Sequence, residues 1–297
     1  EPARLSRRNR RASDRLVDPM QLNISDETSA LTDLCVCRGT AVPACEGYQN
    51  SHPEFDIFET RPWDREKLLV QQDAFYEVAE RHGARLHFVP DSDAHHWALY
   101  TRDTGFVIGD TLYYARDRQL PERIGEIDNV LGLLPDVPSV EITAGRIEGG
   151  DVMPDGDVVF VGLGTRTDRA AANELATHLD VEVMPIDLGP TVMHLDTRMT
   201  ILPGRRALIC TSAFSPDDLF MLDKRLRLIE VSDSEAQAMG TNVFVINPET
   251  VVVHAGFPRI IAAIEAEELR VVPVDWSEPN ALLGSFRCAT MPLARSG

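Results

Sequence analysis

One order of secondary-structure signals recurs about five times along this chain: strand, turn, strand, helix, strand. The first cycle opens near Leu31 with a strand at residues 34–38, continues to a helical pattern over 64–82 and closes at 86–89. The second has strands at 97–100, 105–108 and 112–115, a helix over 121–134 beginning at Pro121, and a strand at 139–143. The third has 146–148, a hairpin through Pro154-Asp155-Gly156, 158–162, a helix over 168–178 and 181–186. The fourth has 193–202, a turn at Pro203-Gly204, 207–210, a helix from Pro216 and a strand near 226–231. The fifth has 243–246, a turn at Asn247-Pro248, 251–254, a helix over 258–268 and 271–274. Later cycles start about 48 residues apart. A unit of that size cannot bury both faces of its small sheet alone, so five units are expected to pack around a common axis and leave a central cavity. The competing arrangement is an ordinary α/β sandwich with coincidental spacing.

Length and composition fit this reading. The 297 residues are 43% hydrophobic and 26% charged, which excludes wholesale disorder and low complexity. No apolar run approaches the roughly 20 residues of a membrane span and no signal-peptide core follows the N-terminus, so a soluble, cytoplasmic protein is expected. With 29 Lys and Arg against 47 Asp and Glu, the formal charge of -18 repels nucleic acid and attracts cations. Arg4, Arg7, Arg8, Arg10, Arg11 and Arg15 make the N-terminal arm, residues 1–30, basic; it is expected to be flexible or folded onto the acidic body, residues 31–297, a single catalytic domain. The odd number of cysteines argues against a disulfide framework. Cys35 and Cys37 face one side of a strand with Cys45 eight residues on, and read as structural thiols because zinc sites show a tighter spacer and a second ligand pair.

Four stretches place ionisable residues at turns or strand ends of the cycles: Tyr100-Thr101-Arg102-Asp103, Glu148-Gly149-Gly150-Asp151, Met193-His194-Leu195-Asp196-Thr197 and Arg287-Cys288-Ala289-Thr290-Met291-Pro292. Each alone has a plain structural explanation: a surface turn pair, a glycine turn, a core histidine, a small buried thiol. Charge beside apolar strands is costly unless it meets a partner, so their shared position in the cycles points to convergence on the axis. A thiol with an imidazole supplies a nucleophile and its acid–base partner. Surplus carboxylates would suppress the thiolate until a cation arrives, and a guanidinium suits them because it donates paired hydrogen bonds.

In this ordered set the sequence resembles the guanidino-group-modifying enzymes of the pentein fold, namely arginine deiminases, dimethylarginine dimethylaminohydrolases and arginine amidinotransferases, over about residues 31–295. The resemblance implies an α/β fold, a five-bladed propeller of ββαβ repeats with the site on its axis. It implies Cys288 as nucleophile, His194 as general acid–base residue and Glu148 handling protons. Asp103 and Asp196 would grip the guanidinium, Arg166 would hold the substrate carboxylate, and Arg123 or Arg116 would supply a second clamp. The reaction implied is hydrolysis of a guanidinium C–N bond of arginine or an N-substituted arginine through an amidino-thioether, giving a citrulline-type product without metal or organic cofactor. His194-Leu195-Asp196 resembles deiminases and amidinotransferases, Glu148 resembles hydrolases, and the Cys288 motif resembles deiminases; the chain is too short for the large helical insertion common in arginine deiminases. The alternatives are amidino transfer from arginine to an amine, and a non-catalytic pentein binding module. The expected partner is a small guanidino compound, with neither nucleic acid nor membrane; a homo-oligomer is left open.

Overall fold

The computed structural model describes residues 20–43, 62–90 and 92–296. The six arginines of the basic arm and Cys45 lie outside the described residues. The first unit contains β1 (Ala30–Val36), α1 (Arg65–Arg81) and β2 (Arg85–Phe88). The second contains β3 (Phe106–Ile108), β4 (Thr111–Ala115), α2 (Glu126–Leu133) and β5 (Ser139–Ile142), and the third β6 (Val152–Asp155), β7 (Val158–Leu163), α3 (Arg169–Thr177) and β8 (Glu182–Asp187). The fourth contains β9 (Met199–Leu202), β10 (Arg206–Ile209), α4 (Pro216–Asp223) and β11 (Arg227–Glu230), followed by the short α5 (Asp233–Gln237). The fifth contains β12 (Phe244–Asn247), β13 (Thr250–His254), α6 (Pro258–Glu265) and β14 (Arg270–Val274); α7 (Ser277–Ala281) and β15 (Met291–Ser296) follow.

These strands form five three-stranded sheets with one plan: an antiparallel pair, then a third strand parallel to the middle one after a helical crossover. The first unit's own sequence supplies only two strands of its sheet. β15 supplies the third, pairing antiparallel with β1, while β2 lies parallel to β1 on the other side. Gly109 and Gly156 sit at hairpin tips with φ of 60° and 69°, a conformation that glycine adopts without a Cβ clash. Two of the helices, α1 and α3, begin at aspartate caps: Asp64 accepts from the backbone N–H groups of Glu66 and Lys67, and Asp168 accepts from Ala171.

Middle strands are nearly continuous apolar runs because both their faces are covered. Side-chain alternation then sends neighbouring residues to different units. On β7, Val159, Val161 and Leu163 pack with the second unit, whereas Val158 and Phe160 pack with the fourth. On β10, Ala207 and Ile209 face the third unit, and Leu208 faces the fifth. On β1, Leu34 and Val36 pack with Phe244, Ile246 and Val252 of the fifth unit, while Cys35 and Cys37 pack with Val107 and Leu112 of the second. Cys35 and Cys37 thus share one face, as their spacing predicts, and both are buried thiols outside any disulfide.

Three expected strands take another form. Residues 97–100, 146–148 and 193–198 lie outside the sheets, and one-turn 3-10 helices occupy 101–103, 149–151 and 195–197. Their apolar character reflects burial beneath neighbouring units; it is not a sign of extended pairing. Residues 20–29, assigned by sequence to the basic arm, are knitted into the body. Asn23 N–H donates to the Leu293 carbonyl at 3.0 Å, Ile24 and Gly109 exchange backbone bonds, and Glu27 is buried.

Candidate active site

Each sheet's outer antiparallel strand is preceded by a compact turn, and these turns meet. Asp103 lies just before β3, Glu148 and Asp151 before β6, His194 and Asp196 before β9, Asn242 before β12 and Cys288 before β15. The backbone N–H of Arg102 donates to the Cys288 carbonyl at 3.1 Å, tying the second unit's turn to the one that carries Cys288. The approach is too close for side chains at the third. A Cβ on Gly149 would stand 2.2 Å from the Arg102 carbonyl oxygen, and one on Gly150 would stand 2.7 Å from the His194 ring. The pair Gly149-Gly150 is therefore what lets Glu148 reach His194.

Asp103, His194 and Cys288 line one narrow cavity of about 30 Å³, with Trp97, Tyr100 and Met193 among its walls. His194 Nε2 lies 2.8 Å from Glu148 Oε2. Its Nδ1 lies 3.7 Å from Asp103 Oδ1, too far for a hydrogen bond. Cys288 Sγ lies 4.0 Å from Asp196 Oδ2, which also accepts from Arg287 Nη1 at 2.8 Å. Asp103 Oδ1, His194 Nδ1 and Asp196 Oδ1 are buried without a hydrogen-bond partner among the described residues. Three such atoms, from the two turns that carry Asp103 and His194-Leu195-Asp196, mark a place prepared for a polar ligand.

Electrostatics set the resting protonation of the cluster. Burial opposes charge on His194, but the carboxylates of Asp103, Asp151 and Glu148 outweigh it and raise the imidazole to about 9. Burial likewise opposes ionisation of Glu148, yet Arg118, His194 and Arg166 hold it well below the ordinary carboxylate range. Asp151 is pushed up to about 7 by burial, although Thr167 and the Leu195 N–H stabilise its anion. Burial, with Asp196 and Asp103 beside it, drives the Cys288 thiol well above its usual value. These surroundings favour the charged forms of His194 and Glu148 and the neutral form of the Cys288 thiol.

The arginines divide. Arg166 lines the cavity and donates to Glu148 Oε2 at 3.4 Å. Arg123 also borders the cavity, but its Nε is bound to Glu126, its Nη1 to Asp103 at 2.6 Å and its Nη2 to the Trp97 and Tyr100 carbonyls. In that geometry Arg123 braces Asp103. Arg116 is half-exposed, pairs with Asp128 and Glu141, and is not among the residues that line the cavity. Sequence reasoning passed over Arg118, which is buried and donates to Glu148 Oε1 at 3.1 Å. It also missed Asn242, whose Nδ2 lies 3.1 Å from Cys288 Sγ. The signal for Asn242 was its place in the fifth cycle. Arg118 has no equivalent signal, since a charged residue in a polar loop ordinarily faces solvent. Donor atoms of Asp103, Glu148 and His194 lie within 4.8 Å of one another, a spacing that could hold a metal ion, but Arg118 and Arg166 already neutralise Glu148.

Comparison with known proteins agrees with this geometry. The arginine deiminase family model matches residues 126–215. The chain is 33% identical over 228 residues to the uncharacterized protein YkgA of Bacillus subtilis (strain 168), covering 76% of this chain and 79% of that one. It is 28% identical over 246 residues to the N(G),N(G)-dimethylarginine dimethylaminohydrolase of Mycobacterium tuberculosis (strain ATCC 25618 / H37Rv), covering 82% and 80%. Among solved structures, the N-terminal domain of ArgZ, a cyanobacterial arginine dihydrolase, superposes with a TM-score of 0.78 at 18% identity, covering 89% of this chain and 98% of that one. SxtG, an amidinotransferase from Microseira wollei, gives 0.76 at 18% identity, covering 93% and 98%. The chain belongs to the guanidino-group-modifying superfamily of the pentein fold. That superfamily contains both hydrolases and amidinotransferases, and no described helix of this chain is long and apolar enough to cross a membrane.

Proposed function

We propose that this chain hydrolyses a guanidinium C–N bond of arginine or an N-substituted arginine and releases a citrulline-type product. The observation carrying this reading is the set of unpartnered atoms on Asp103, His194 and Asp196 beside Cys288. We further infer that the five sheets close into a ring, because each core cluster joins successive units and one joins the fifth to the first. The site then lies on the axis of that ring.

In this mechanism Asp103 and Asp196 accept the guanidinium N–H groups, and the arriving positive charge lowers the thiol pKa so that its proton passes to solvent. The Cys288 thiolate attacks the guanidinium carbon. His194, already an imidazolium, gives its proton to the departing amine as the C–N bond breaks, leaving the amidino-thioether. Glu148 holds the ring in place, and the now neutral His194 takes a proton from water attacking the same carbon. Breaking the C–S bond returns its electron pair to sulfur, the hydroxyl proton passes to solvent, and the ureido product is freed. Arg166 is the residue assigned to the substrate carboxylate. Arg166→Ala is expected to raise KM about 10-fold or more with a smaller loss in kcat, as steady-state kinetics with arginine would register. A change in kcat alone would count against that assignment.

Amidino transfer shares every step up to the thioether. Purified protein incubated with arginine or N-methylated arginines, with and without added amines, separates the two by product analysis. Citrulline with release of ammonia or a methylamine, independent of added amine, is the expected result. Ornithine appearing only when an amine is supplied would overturn the hydrolase in favour of the transferase.

A further inference from the structure

We infer that Asn242 is a catalytic residue, donating its side-chain N–H to the Cys288 sulfur whenever that sulfur is negatively charged; this rests on Cys288 being the nucleophile. Asn242 is buried in the turn before β12, where the fifth unit contributes its share of the site. Its Oδ1 accepts the backbone N–H groups of Arg287 at 2.9 Å and Cys288 at 3.2 Å. Two backbone donors can face only the carbonyl oxygen of an amide, so the orientation is fixed and the NH₂ group must point the other way. There it donates to the Asp196 carbonyl at 3.2 Å and to Cys288 Sγ at 3.1 Å. It is a side-chain N–H donor on the sulfur, beside the Ser285 backbone group that also stabilises the sulfur's anion.

The chemistry explains why an amide stands here. The sulfur bears negative charge twice: after the thiol proton leaves and before the S–C bond forms, and again when that bond breaks and its electron pair returns to sulfur. Asp196 and Asp103 disfavour both states. An arginine or lysine would favour them, but it would also repel the guanidinium that must lie against the same sulfur. A neutral donor stabilises the thiolate without opposing the substrate's charge.

The test uses alkylation of Cys288 by iodoacetamide, a neutral reagent that needs no guanidinium, with the modified residue identified by mass spectrometry. Asn242→Asp keeps the shape and an oxygen for the two backbone N–H groups while replacing the donor by a negative charge. Its alkylation midpoint is expected to rise by about one pH unit or more, with the rate at fixed pH below the midpoint falling about 10-fold. Asn242→Ala should shift the midpoint in the same direction by less. In both, kcat should fall more than KM changes. Unaltered alkylation midpoints would overturn the inference and leave Asn242 as a clamp on the turn. Because the reagent does not depend on arginine, this outcome is separable from failure of the proposed hydrolysis. If neither variant folds, the wild-type protein decides. The Asn242 side-chain amide proton resonance should move through the midpoint seen in alkylation, and a resonance indifferent to the thiol's titration would overturn the inference.

Discussion

Replacing Cys288 by alanine is expected to lower kcat by at least about 10⁴-fold while the protein stays folded. No other described thiol can take its place: Cys35 and Cys37 face the core between the first and second units, and Cys210 lies in the core between the fourth and fifth. The substitution removes one sulfur atom from a buried turn whose backbone remains held by Asn242 Oδ1, Arg102 N–H and the Ala289 N–H bond to Ser285. Thermal unfolding should therefore change by only a few degrees. The variant should still bind arginine between Asp103 and Asp196, visible as an occupied cavity in a crystal soaked with substrate. Turnover above about 1% of wild type would defeat the covalent mechanism.

The second large effect concerns stability. Glu27 is buried beneath the turn that carries Cys288, accepting from Arg287 at 3.0 and 3.3 Å and standing 3.6 Å from Arg102. Glu27→Ala would leave these guanidinium groups with Asp196 as their remaining carboxylate at hydrogen-bond distance, on Arg287 alone. Uncompensated buried charge of this kind typically costs about 3–5 kcal/mol, a loss that urea denaturation at neutral pH would measure. Acidification offers an independent reading. Burial opposes ionisation of Glu27, but Arg287 and Arg102 overcome it and lower its pKa from 4.5 to about 2 in the folded protein. The unfolded chain therefore binds the proton first: the stabilisation is full above pH 4.5 and is lost as pH falls towards 2. In Glu27→Gln the stability curve should be flatter across that window. A destabilisation below about 1 kcal/mol in Glu27→Ala would mean that the arginines find other compensation.

The repeat was legible because its physics is local. Each middle strand must be apolar on both faces, and each hairpin needs residues that tolerate a tight reversal, so β7, β10 and β13 stand out with their turns. The pairing of β15 with β1 was invisible, because it joins residues such as Ala30 and Ser296 that no short-range pattern connects. Apolar letters also misled where a buried turn resembled a strand, as at residues 97–100. The site followed the same division. Cys288, His194, Glu148, Asp103 and Asp196 are singled out by their recurrent position and their chemistry, and the turns that carry them meet in the structure. Asn242 occupied the same position without charge and went unnoticed. Arg116, Arg118 and Arg123 lie within one short loop after β4, and which of them turns inward depends on the path of the backbone. Glu27 was grouped with the basic arm, although its partner Arg287 sits 260 residues further on.

The partnership of β15 with β1 gives the molecule a buckle. The sulfur sits immediately ahead of the clasp, so the other four turns can assemble before the reactive atom is fixed among them. Cys288 therefore takes its place beside the other turns only once β15 has paired with β1, a strand more than 250 residues earlier in the chain.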